Sequence, residues 1–214
     1  MHENFKNIQI GNSIPSCIEI LNSSGLIAFP TDTLYSLTAK ATDVTAIKKV
    51  FQLKNRSYSN PIPILFSDIK QILSYAEITN DVFYKIVKKY MPGPITIIVK
   101  NKGKIQPVAE GVSSTLAVRI PNYSPIRKLI TQLKAPITGT SINISGSISL
   151  NTHNEIISEF KDKINYIYLR NVPPPPNVPS TIIDISSQTP KIVREGIIKL
   201  EELSKEINIL YNQK

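Results

Sequence analysis

Apolar residues recur along this 214-residue chain in two periods, and the points where the period changes mark its elements. Ile14, Cys17, Ile18 and Leu21 keep a helical spacing, so Ser13 to Gly25 reads as a helix with Gly25 suited to the position just past its end. Val44, Ile47, Val50 and Phe51 repeat the pattern behind Asp43, a natural N-cap, and leave Lys54 where that helix runs out. Asp68 to Ala76 and Asn80 to Tyr90 are two further helices, stopped by the breaker MPGP at Met91 to Pro94. Ser124 to Leu133 is predicted as a helix with Ser124 as cap and Pro125 at its first position. His153 to Lys163 and Leu200 to Tyr211 complete the helical set.

Between these lie short apolar runs bounded by Pro, Gly and polar residues: Leu26 to Phe29, Pro61 to Phe66, Ile95 to Lys100, Thr115 to Pro121 and Tyr166 to Arg170. PITGTSINISG is predicted as strand turning into loop, VPPPPNVP (Val172 to Pro179) as a polyproline-like connector, and TIIDIS with PKIVRE as a closing hairpin. Strands alternating with helices predict an α/β fold, and the short links between some of them imply a mixed sheet. Residues 1–200 are expected to form one domain and 201–214 a C-terminal helical tail, with no internal repeat.

Composition narrows the partner. Lys and Arg number 25 against 16 Asp and Glu, a net charge of +9, so the surrounding field favours anions such as nucleotides, pyrophosphate or nucleic acid. A single cysteine, Cys17, excludes an internal disulfide, and with only His2 and His153 beside it a Cys/His metal site cannot be assembled. The first residues, MHENFKNIQIGN, carry no apolar leader, and no apolar run reaches the ~18 residues that span a bilayer, so a cytoplasmic protein is expected.

Candidate chemistry gathers at the ends of the predicted strands, where α/β sheets collect ligands. Thr31, Asp32 and Thr33 follow the first strand; Arg119 ends a later one; Ser141, Asn143, Ser180, Thr181, Asp184 and Arg194 occupy similar places. Hydroxyls, amides and guanidinium forks together suit a multiply charged anion. Histidine is absent from all of these segments, which argues against a Ser/His/Asp hydrolase; the carboxylate pairs of a glycosidase and the GxxxxGK[ST] and GxGxxG loops are missing too. Taken alone, Lys54-x-Arg56 is what a solvated helix end looks like. Arg119 inside an apolar strand is different, because a buried guanidinium demands an anion.

In order along the chain these pieces resemble the YrdC/TsaC family of threonylcarbamoyl-adenylate synthases. GLIAFPTDTLYSL matches the family's PTDTVYGL-type opening, and AIKKVFQLKNRSYSNPIPILF its K-x-R element followed by N-P and a strand. MPGPITIIV, STLAVRIP, TSINISGSIS, PSTIIDIS and IVREG match its WPGP-T, VAVRxP, S-x-N-x-SG, ST-x-x-D and R-x-G segments, so the resemblance spans roughly Gly25 to Gly196. It departs at Ser36 (family Gly), Leu65 (often His), Met91 (Trp) and Pro179 (often Glu).

The resemblance implies a YrdC-like twisted mixed sheet flanked by helices around a basic concave cavity. It also implies ATP-dependent condensation of L-threonine and bicarbonate to threonylcarbamoyl-AMP and pyrophosphate, for the t6A modification of tRNA. Lys54, Arg56, Ser141 and Asn143 would be catalytic; the same four with Asn60, Thr115, Ser149 and Arg194 would bind ATP. Thr33, Tyr35, Arg119 and Ser180 would bind threonine. An attacking carboxylate needs no protein nucleophile, which suits the missing base. Magnesium would arrive with ATP rather than in a protein cage. The adenylate would pass to a tRNA threonylcarbamoyl transferase, with tRNA contact possible and no membrane involved. An RNA-binding module and a nucleotide-binding paralogue without turnover are the alternatives; the first lacks interleaved aromatics, and the departures at Ser36 and Pro179 keep the second open.

Overall fold

The computed structural model describes residues 8–58, 60, 62–105, 114–170 and 177–207. In chain order its elements are β1 (Gln9–Gly11), α1 (Ile14–Asn22), β2 (Ile27–Pro30), β3 (Tyr35–Thr38), α2 (Val44–Leu53), β4 (Ile64–Leu65), α3 (Ile69–Tyr75) and β5 (Ala76–Glu77). They continue with α4 (Val82–Tyr90), β6 (Ile95–Asn101), β7 (Thr115–Arg119), α5 (Ser124–Leu133), β8 (Ile137–Thr138), β9 (Thr140–Ser141), α6 (His153–Phe160), β10 (Tyr166–Tyr168), β11 (Thr181–Asp184), β12 (Lys191–Arg194) and α7 (Leu200–Ser204).

The strands form two mixed sheets where the sequence suggests one. The first has the order β1-β10-β2-β3-β9 and the second β12-β11-β6-β7-β4-β8, with β5 on β6. Period-two alternation explains how the first is buried on both faces. Ile27, Phe29, Tyr166 and Tyr168 point to α1 and α5, while Leu26, Ala28 and Ile167 point to a separate core that includes Ile47, Val50 and Phe51 of α2 and Ile156 and Phe160 of α6. The second sheet is one-sided. Ile95, Ile97, Val99, Leu116, Val118 and Ile183 pack on α3, α4 and Leu203 of α7. Its other face carries Ile98, Ala117, Arg119, Ser180 and Ile182, all of which line a cavity.

One short run joins the sheets. Residues 137–141 pair with β4 through β8 and with β3 through β9, changing sheet at Gly139. Leu65 packs so closely behind that point that a Cβ on Gly139 would lie 2.5 Å from its side chain. Leu65 thus fills the seam as a core residue, 1% exposed.

Several expectations change in detail. The run Pro61 to Phe66 pairs only over Ile64–Leu65, since a proline has no N–H for the ladder. Tyr35–Thr38 is a strand that alternation could not show, because neighbours on both edges and helices on both faces bury all four residues. Tyr123, not Ser124, takes the N-cap position of α5, without a side-chain cap bond. At the end of α1 the left-handed residue is Ser24 (φ 56°), and Gly25 follows it, donating its N–H to Ile20 O at 2.9 Å. The terminal helix runs only over Leu200–Ser204, and Leu203 and Ile207 are buried in the core of the second sheet. The polyproline connector falls largely on residues 171–176, and the end of the tail on 208–214, outside the described residues. Among the described residues no helix is long and apolar enough to cross a membrane.

Candidate active site

The chain brings Lys54, Arg56, Arg119 and Arg194 to one cavity of about 420 Å³ between the open face of the second sheet and the ends of β2, β3 and β9. Helix α2 explains the first two. Its C-cap is Lys54; Asn55 adopts a left-handed φ of 49°, and the N–H groups of Asn55 and Arg56 turn back to Gln52 O and Phe51 O. That reversal at the helix end is why an asparagine stands between the two cations, and it turns both side chains to the cavity.

Lys54 is 2% exposed, and its ammonium gives all three hydrogens to protein oxygens. The acceptors are Ser141 O at 2.5 Å, Asn143 O at 2.7 Å and Asn143 Oδ1 at 2.8 Å. Burial, and after it the repulsion of Arg56, brings Lys54 down to about 8, with Glu159 opposing. The lysine therefore shapes the loop after β9. Asn143 Oδ1 also accepts from Ser141 Oγ (2.7 Å), and Asn143 Nδ2 donates to Ser147 O (2.6 Å). Arg56 Nε reaches Asn60 O at 2.9 Å.

The opposite end is built on a turn. Thr31 Oγ1 donates to Leu34 O and accepts from the N–H groups of Thr33 and Leu34, so residues 31–34 form a closed loop beyond β2. Arg119, 5% exposed, spans from this loop to the segment before β6: NH2 binds Asp32 Oδ1 at 2.6 Å, NH1 Thr33 Oγ1 at 3.0 Å and Nε Gly93 O at 3.0 Å. The anion that a guanidinium in an apolar strand requires is supplied by the chain itself. Burial lowers the pKa of Arg119 and Asp32 restores part of it.

A third wall comes from the hairpin β11–β12. Arg194 donates through Nε and NH2 to Ser180 O, and Ser180 Oγ shares a hydrogen bond of 2.9 Å with Thr96. Gly196 lets the chain pass, since a Cβ there would lie 2.2 Å from Pro179 O. Desolvation, then the repulsion of Arg119 and Arg56, holds Arg194 below the ordinary guanidinium value, so these charges share one field.

Ten of the twelve residues singled out in the sequence line this cavity: Thr33, Tyr35, Lys54, Arg56, Asn60, Arg119, Ser141, Asn143, Ser180 and Arg194. Thr115 and Ser149 are not among the lining residues. Thr115 shares the face of Ala117 and Arg119 but lies four residues from Arg119, about 13 Å along an extended strand. Ser149 follows the turn that closes at Ser147. Tyr35 is 3% exposed and its hydroxyl points away from small-molecule chemistry, donating to Tyr168 O at 3.2 Å and accepting from Arg170 N at 3.2 Å. The sequence places Asp32 among the polar groups after the first strand without showing that it pairs with Arg119, and Arg170 only as a strand end; the alternation of Tyr166, Tyr168 and Arg170 was the one available sign that all three share a face.

The wall offers hydroxyls, amides and four cations, with no carboxylate or imidazole among its lining residues. Comparison with known proteins gives the family. Residues 19–196 match the Sua5/YciO/YrdC family model, described as "Telomere recombination". A Methanocaldococcus jannaschii protein provisionally named threonylcarbamoyl-AMP synthase is 36% identical over 87% of this chain and 86% of its own length. The Pyrococcus abyssi threonylcarbamoyl-AMP synthase is 34% identical over 85% of this chain, which spans only 53% of that longer relative. The solved structure of P. abyssi Sua5 complexed with L-threonine superposes with a TM-score of 0.85 at 30% identity, covering 94% of this chain and 60% of that one. Escherichia coli YciO, at 22% identity and a TM-score of 0.79 over 92% of this chain and 98% of its own, shares the fold. The chain belongs to the Sua5/YciO/YrdC family.

Proposed function

We propose that this chain is an L-threonylcarbamoyl-AMP synthase. The observation that carries the reading is the convergence of Lys54, Arg56, Arg119 and Arg194 on one cavity. The threonylcarbamoyl-AMP synthase names of the relatives and the L-threonine complex of P. abyssi Sua5 support it.

The ammonium of threonine gives up a proton, and the resulting amine adds to the carbon of bicarbonate with loss of water to give a carbamate. A carbamate oxygen then attacks the α-phosphorus of ATP, the bond from that phosphorus to the bridging oxygen breaks, and pyrophosphate leaves. The reacting carboxylate is its own nucleophile, so the protein contributes position and charge. Arg56, Arg194 and Asn60 would meet the triphosphate, with Ser141 and Asn143 donating from the loop that Lys54 holds in place. Thr33, Arg119 and Ser180 would receive the amino acid. Tyr35 supports that end from below. Thr115 and Ser149 would reach ATP only at the cavity's outer edge.

No trio of His, Cys, Asp or Glu suited to an ion is found among the described residues, and the wall has no carboxylate. This donor set fits a magnesium ion held by the phosphates of ATP, where it would offset their charge. The product is a mixed anhydride prone to hydrolysis. A cytoplasmic transferase that acts on tRNA is the partner such a product calls for, with any tRNA contact secondary to that transfer. Mass spectrometry of reactions lacking one substrate at a time tests the proposal. Threonylcarbamoyl-AMP is expected only when ATP, threonine and bicarbonate are all present; its absence from the complete mixture contradicts the reading.

A further inference from the structure

Arg170 lies outside the cavity wall, yet it touches two residues that line it, Thr31 and Tyr35. Its guanidinium sits between two rings, 5.6 Å from the centre of Tyr35 and 5.5 Å from that of Tyr123. NH2 donates to Thr31 O at 2.6 Å, the carbonyl that opens the turn carrying Asp32 and Thr33. Its backbone N–H donates to the Tyr35 hydroxyl, which fixes the lower ring of the stack. Burial disfavours the charge of Arg170, and Tyr123, Tyr35 and lastly Asp32 favour it, while the bond to Thr31 O holds the guanidinium on the residue next to Asp32. Arg170 Nε and Asp32 Oδ2 are both buried without a hydrogen-bond partner.

The charges around Asp32 decide what this end of the cavity can hold. Arg119 and Asp32 alone form a neutral pair, 6% and 12% exposed. Adding Arg170 leaves two guanidinium groups against one carboxylate, a net charge of +1. On the reaction proposed above, the zwitterion of threonine becomes a dianion when its ammonium is converted to a carbamate. The neutral pair itself contributes no net charge toward that change, and Arg170 adds to what Arg194 and Arg56 supply from the other walls.

We propose that Arg170 is a positioning residue for the amino-acid end of the cavity: clamped between Tyr35 and Tyr123, it holds the Thr31–Leu34 turn and keeps the Arg119–Asp32 pair net positive for a substrate carboxylate. It touches no reacting atom and acts through Thr31 and Asp32. The inference rests on the synthase reading, and the experiment separates the two.

Calorimetry of the full chain with threonine and with ATP, beside steady-state constants for both, gives the test. Arg170→Met is expected to weaken threonine binding and raise its KM about tenfold, a loss of about 1.4 kcal/mol, with the ATP constants unchanged within about twofold. Arg170→Lys keeps the charge and loses the planar fork, and should fall between, at about threefold. Equal losses for threonine and ATP would mean a merely structural residue, and an unchanged threonine constant would mean no role at all; either overturns the proposal. Should Arg170→Met fail to fold, Arg170→Lys carries the same test, with a threonine-selective loss supporting it and two unchanged constants contradicting it. A wild-type protein that binds ATP but no threonine contradicts the synthase reading and this inference with it. Wild-type threonine binding that Arg170→Met leaves intact overturns the inference alone.

Discussion

The two ends of the cavity bury a cation each and compensate it in opposite ways. Lys54 is surrounded by two backbone carbonyls and an amide oxygen, dipoles that solvate the charge without cancelling it. Arg119 is bound to a carboxylate, Asp32, which cancels it. The consequences follow from elementary electrostatics. A lysine held only by dipoles keeps its field for an incoming polyphosphate, while burial and then the repulsion of Arg56 bring its pKa down to about 8. An arginine cancelled by aspartate leaves the net charge of its end to the neighbouring cations Arg170 and Arg194. On the synthase reading, the contrast suits nucleotide at the Lys54 end and amino acid at the Arg119 end.

Breaking the pair should produce the largest effect. Arg119→Met leaves Asp32 buried beside an apolar chain and is expected to cost about 3–5 kcal/mol of stability, read by denaturant unfolding. Combining it with Asp32→Asn should recover most of that stability and none of the turnover; failure to recover would mean that the charge on Asp32 is not what the arginine offsets.

At the other end Arg56→Ala should lower kcat/KM for ATP by about a hundredfold, the scale of one lost donor to developing charge, with a melting temperature near wild type. A near-wild-type value there would dissociate Arg56 from the phosphates. Between the ends, Gly139→Ala drives a methyl into Leu65 and should cost about 1–3 kcal/mol, with Leu65→Ala relieving the clash in the double variant. Independent, additive losses would show that the seam between the sheets is not packed as described.

The smallest effect is the sharpest. Because Lys54 titrates at about 8 in the folded chain, ATP affinity should fall as pH rises through that value, and Lys54→Arg should flatten the profile. Stability moves the other way. The folded pKa lies below the ordinary 10.5, so between about pH 8 and 10.5 the unfolded chain binds more protons, and Lys54 destabilises the fold less as pH rises across that window. An ATP affinity that stays flat from pH 7 to 9.5 would mean that Lys54 does not act on the nucleotide through its charge.

Much of this was legible in the sequence. Helices α1, α2, α4 and α5 follow from the spacing of apolar residues, and the demand of Arg119 for an anion follows from its strand. Asp32 escaped because an aspartate after a Pro-terminated strand has an ordinary use in turns, and only tertiary contact distinguishes the two uses. Lys54 was legible as a cation near phosphates. That its hydrogens are already spent inside the protein depends on the loop after β9, 87 to 89 residues away. Arg170 depends on two rings from different elements, a contact that no local pattern encodes. Gly139 marks the same limit: a strand that changes sheet within five residues has no period of its own.

The most direct test of the division between the two ends is pyrophosphate release from ATP with bicarbonate, comparing threonine, serine and no amino acid at one salt concentration. Release that requires threonine and bicarbonate together is the result expected. ATP binding with no release under any combination would contradict it, and would leave the cavity as a nucleotide site without the amino-acid end described here.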